Sequence, residues 1–73
     1  MEQKLINYVE RHLGYARGWK GNAKVISTFE AKAIAAVEFF CEVVYEENPE
    51  LEKKMLERWN NEWRKEFFEL SLS

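Results

Sequence analysis

STFEAKAIAAVEFFCEVVYEENPE, residues 27–50, carries the densest apolar pattern of the chain together with its only proline. Alanines at 31, 33, 35 and 36 favour helix, and Ser27 followed three residues later by Glu30 reads as a capping box. The spacing predicts a helix over about 28–46. Projected at about 100° per residue, Phe29, Ala33, Ile34, Ala36, Val37, Phe40, Cys41, Val43, Val44 and Tyr45 cover half the circumference or more. Only a narrow stripe of Ala31, Ala35, Glu38, Glu42 and Glu46 remains for water. A helix this apolar needs neighbours on two sides, which makes it the centre of the fold.

Asn48 and Pro49 end that helix and start the next, since Asn caps free amides and Pro fits the first helical position. Over about 49–70, Leu51, Met55, Leu56, Trp59, Trp63, Phe67 and Leu70 recur at three- and four-residue steps on one face. Trp59 and Trp63 sit in mid-stripe and belong to the core. Lys53, Lys54, Glu57, Asn60, Asn61, Arg64 and Lys65 cover the opposite face. Upstream, Leu5, Ile6, Val9, Leu13 and Ala16 mark the inner face of a helix over about 2–19, followed by a loop over about 20–27. AKVIST at 23–28 has no second strand to pair with, so no sheet is expected. The expected architecture is all-α: a single domain over 1–73 forming a small three-helix bundle with helix 2 central.

With 73 residues the chain buries about 60% of its unfolded surface, so packing alone leaves little margin and self-association is a common remedy. A hydrophobic share of 47% is too high for a disordered chain, and a charged share of 33% interrupts any membrane span. One cysteine and one histidine allow neither an internal disulfide nor an all-Cys/His zinc site, and no cofactor is expected. The opening MEQKLINYVERHL lacks a basic region followed by an apolar run, which predicts a cytoplasmic protein. The net charge of −2 is unevenly placed. Lys4, Arg11, Arg17, Lys20 and Lys24 outnumber Glu2 and Glu10 in the first third, whereas Lys32 stands against Glu30, Glu38, Glu42, Glu46 and Glu47 in the middle.

GYARGWKGNAK, residues 14–24, holds all three glycines. It fits a nucleic-acid platform, with Arg17, Lys20 and Lys24 on phosphates and Tyr15 and Trp19 stacking on bases. It also fits a plain helix joint, with cations at the negative end of a helix dipole and glycine as the stop. The joint is favoured, because each residue then has a local role and a mildly acidic chain is a poor general phosphate binder.

Tyr8, His12, Tyr15 and Trp19 fall at steps of four, three and four beside the inner face of helix 1, with Arg11 nearby. Tyrosine, tryptophan and arginine dominate protein-binding hot spots, although such rings also serve as the wet edge of a core. Phe68 is the misfit of helix 3, roughly opposite Trp59 with Leu72 one turn on; it fits a lone exposed aromatic at a frayed terminus, the favoured reading, and, as the sharper one, a contact to a partner or a second subunit.

Catalytic patterns are missing. Cys41 lies on an apolar face with no activating base assigned, Glu38, Glu42 and Glu46 form a solvated acidic stripe, and no phosphate loop, nucleophile elbow or HExxH occurs. The sequence points to a non-enzymatic interaction or regulatory protein, an inhibitor or adaptor of the kind a phage or mobile element carries. Its partner is another protein or a second copy in a homodimer, with no membrane partner; the alternative is a nucleic-acid-binding module using the basic first third.

Overall fold

Two asparagines set the corners of the chain. In a computed structural model describing all residues from Met1 to Ser73, Asn22 Oδ1 accepts from the Val25 N–H at 3.2 Å and Asn48 Oδ1 from the Leu51 N–H at 3.1 Å. Each side chain satisfies one of the amides that a helix start leaves free. Helix α1 runs Glu2–Arg17 and α2 runs Ala23–Val44; the third helix comprises α3 (Pro49–Arg58), a π-helical turn (Trp59–Trp63) and α4 (Arg64–Leu72). The protein is a small all-α bundle of three helices with α2 packed against both others.

The boundaries around the first joint differ from the sequence expectation. Helix 1 stops at Arg17 rather than about 19, and helix 2 begins at Ala23 rather than about 28, so the loop is 18–22 rather than 20–27. Asn22 caps as well as serine does, and capturing AKVIST into the helix lets Ile26 enter the core at 1% exposure. Ser27 therefore sits exposed inside α2 and caps nothing. Gly14 lies inside α1, whereas Gly21 takes φ +87, a conformation side chains other than glycine's rarely adopt.

The third helix contains a feature that its apolar spacing requires. Met55, Trp59, Trp63 and Phe67 are all buried, yet they recur every four residues. A four-residue step overshoots a full turn of a 3.6-residue helix by about 40°, so the stripe would spiral out of the core. The wider turn, closed by the Arg64 N–H donating to the Trp59 carbonyl, takes up the extra residue and returns Phe67 to the core side. Leu56, assigned to the stripe from sequence, ends up exposed, and helix continues to Leu72 rather than about 70.

The core is a single cluster along a body of 39 × 18 × 16 Å, built from Leu5, Val9, Leu13 and Ala16 of α1, Ile26, Ala33, Val37, Phe40 and Cys41 of α2, and the buried stripe of the third helix. Along its edge, α1 and the parallel third helix are joined by Glu2–Lys54 at 3.1 Å, Glu10–Arg58 at 3.5 Å and Arg17–Glu66 at 2.7 Å. Arg58 also lies 4.6 Å over the Trp63 ring, its Nε 3.4 Å from Glu62 without hydrogen-bond geometry.

Candidate interaction surface

Period-matched aromatics on α1 meet one ring from α2. His12 is buried, and its Nδ1 lies 2.8 Å from the Tyr8 carbonyl. A carbonyl only accepts, so Nδ1 carries the proton and donates, which fixes the ring's orientation. Ring centroids lie 4.2 Å apart for Tyr8 and His12, 5.6 Å for His12 and Tyr15, 6.2 Å for His12 and Phe29, and 5.6 Å for Tyr15 and Phe29. Tilted and edge-on geometries at these separations are the favourable ones for aromatic pairs. His12, expected on the surface stripe, thus supports it from beneath. Tyr8 is half-buried beside it, and Tyr15 remains 50% exposed above it. Trp19 is 51% exposed and outside this stack, because helix 1 ends before it; Arg11 is exposed and forms no ion pair.

The 14–24 segment is held from the other side. Arg17 donates from Nε to Glu66, and this hydrogen bond, with the attraction of the same carboxylate, raises the guanidinium pKa further. The Gly21 N–H donates to the Leu70 carbonyl at 3.0 Å, and a Cβ on Gly21 would meet the Ser73 carbonyl carbon and oxygen at 3.2 and 3.3 Å. Helix α4 therefore closes over the joint. Lys20 borders an open depression shared with Glu62, Glu66, Glu69 and Lys65, and Lys24 is exposed in the first turn of α2. Of the three cations, one is paired and another borders a depression of mixed charge.

Phe68 is 61% exposed on α4, beside a shallow depression of about 430 Å³ lined by Glu30, Asn60, Arg64, Lys65 and Glu69. It stands on a different helix from the Tyr8–Tyr15 stack. The most exposed aromatic is one that the sequence projection assigned to neither face: Phe39, at 69%. With Val43 and Met1, both half or more exposed, it flanks a groove of about 220 Å³ between the start of α1 and the end of α2, floored by Leu5, Ala36 and Phe40. Its angular position, beyond Val43 and away from Val37, was the available signal.

The Cys41 thiol is buried and directed at the Glu52 carbonyl at 3.9 Å; burial first, then Glu52 and Glu38, push its pKa up, away from the reactive thiolate. No group of three His, Cys, Asp or Glu side chains is gathered to hold a metal ion, and no helix is long and apolar enough to cross a membrane. No family model, curated protein sequence or solved structure matches the chain.

Proposed function

We propose that this chain is a small non-enzymatic interaction protein, an inhibitor or adaptor acting in the cytoplasm, which engages other proteins through its exposed aromatic side chains. The observation that carries this is the surplus of rings: Tyr15, Trp19, Phe39 and Phe68 are each half or more exposed around a core already filled by other side chains. Tyr and Trp dominate binding energy where protein contacts form, and Phe39 lies with Val43 and Met1 beside an apolar groove. Tyr15 is backed by the His12–Phe29 stack, so it is presented at low entropic cost.

Affinity capture with the wild type and with a Tyr15→Ser, Trp19→Ser variant tests this. A protein retained by the first and lost with the second, with unchanged helicity in both, is the expected result; capture indifferent to both substitutions would sink it. The nucleic-acid alternative is disfavoured by the pairing of Arg17 with Glu66 and by the acids around Lys20. Salt-dependent binding to random-sequence DNA that is abolished by reversing Lys20 and Lys24 would restore it.

A further inference from the structure

We infer that the exposed seam of α2 pairs with the same seam of a second copy, antiparallel and two-fold, with Phe39 at the axis. This rests on the reading of the chain as an interaction protein and names one of its partners. Lys32, Ala36, Phe39, Val43 and Glu46 recur at steps of four, three, four and three, the spacing by which one helix follows another. Tyr45 keeps helical angles of φ −61 and ψ −33 beyond the end of α2, so Glu46 continues this row. All five are exposed except the half-buried Ala36, and Phe39 and Val43 present the apolar centre.

Charge selects the occupant and its direction. Lys32 and Glu46 each stand seven residues from Phe39, about 10 Å along the helix on either side. An antiparallel copy centred on Phe39 therefore sets Lys32 against the partner's Glu46 and Glu46 against the partner's Lys32. Ala36, three residues from the axis, lies beside the partner's Val43, four residues from it, a small residue near a larger one. A parallel copy would set lysine on lysine and glutamate on glutamate. The seam is thus self-complementary in one orientation, as a closed two-fold contact must be. Lys32 forms no ion pair within its own chain, and Glu46 accepts only from the hydroxyl of its neighbour Tyr45.

The test is the solution mass by analytical ultracentrifugation, from about 1 µM to about 1 mM, a span covering weak and moderate dimers. The wild type is expected to pass from one chain to two. Lys32→Glu and Glu46→Lys are each expected to weaken pairing by about tenfold, since each turns two attractions into two repulsions. Mixed in equal amounts, the two variants are expected to regain near-wild-type affinity, because both facing pairs then have opposite signs. Phe39→Ser is expected to stay single with unchanged circular dichroism. A wild type of one-chain mass throughout overturns the self-association, and so does a mixture no tighter than its components. Capture dependent on Tyr15 and Trp19 would then still support the broader function, whose own failure shows in that separate assay.

Discussion

Deleting Asn60 from the middle of the third helix should leave the fold intact, although single deletions inside helices normally scramble a core. Met55 and Phe67 are both 0% exposed. Twelve residues of α-helix at about 100° each would leave them about 120° apart, too far for one buried face. The π turn absorbs one residue; with that residue gone, eleven steps bring the two within about 20° on an uninterrupted α-helix. Because the wide turn advances about as far as an ordinary one, α4 keeps nearly its axial position, and the cost of the deletion is the local refitting of the Trp59–Trp63 turn. Loss and gain are of similar size, so stability should stay within about 1 kcal/mol of wild type.

The control is deletion of Ala35, an exposed residue of α2. It turns Val37, Phe40 and Cys41 by about 100° relative to Ile26 and Ala33, and each large apolar side chain moved into water loses about 1.5–3 kcal/mol. That sum rivals the whole stability of such a domain, about 4–10 kcal/mol. Urea unfolding followed by circular dichroism and tryptophan fluorescence separates the two deletions. If loss of Asn60 is as damaging as loss of Ala35, the π turn is not a spacer for a four-residue repeat, and this account of the third helix fails.

Glycine positions should respond in opposite directions: Gly21→Ala, at φ +87 against the Ser73 backbone, should cost about 1–3 kcal/mol, whereas Gly14→Ala, in open helix, should add about 0.5–1 kcal/mol by thermal unfolding. Asn22→Ala should cost about 1 kcal/mol as a lost cap, while Ser27→Ala should change stability by no more than a few tenths. The Cys41 thiol has a folded pKa above its unfolded one, so its contribution to stability is complete below the ordinary thiol range and declines as pH rises through the folded value. Wild-type urea midpoints should therefore fall more steeply above about pH 9 than those of Cys41→Ala, and native Cys41 should label slowly with a disulfide reagent.

Helix number, the central place of α2 and the Asn48–Pro49 corner were legible because each rests on local chemistry or on periodicity within one segment. The start of α2 was not, because Asn22 and Ser27 are equally good caps in isolation and only the burial of Ile26 decides between them. The π turn was present in the sequence as a repeat of four, but recognising it requires knowing that Met55 and Phe67 are both buried in the one core. At the surface, the Tyr8, His12 and Tyr15 register was visible, yet the Phe29 ring that pulls His12 inward comes from another helix. The pairing of Arg17 with Glu66, across 49 residues of chain, is equally tertiary. Phe39 is illegible for a different reason: within an almost wholly apolar helix, one more phenylalanine does not stand out until the neighbours that leave it bare are known.

The three ion pairs along α1 act as a ruler for the third helix. Exposed as they are, each contributes only about 0.2–1 kcal/mol to holding the bundle together, and salt should barely move its melting point. Their effect lies in the misplacements they penalise. Slid one turn one way, the third helix would set Glu62 against Glu10 and Leu70 against Arg17, keeping only Arg58 with Glu2; slid the other way, it would set Glu50 against Glu2 while keeping Lys54 with Glu10 and Glu62 with Arg17, so each shift trades three attractions for fewer and one repulsion. Met55, Trp59, Trp63 and Phe67 are bulky and similarly spaced, so hydrophobic contact alone discriminates poorly between these positions. High salt should therefore blur where the third helix rests before it changes how firmly it rests, and the tryptophan signals should broaden while the helix content stays constant.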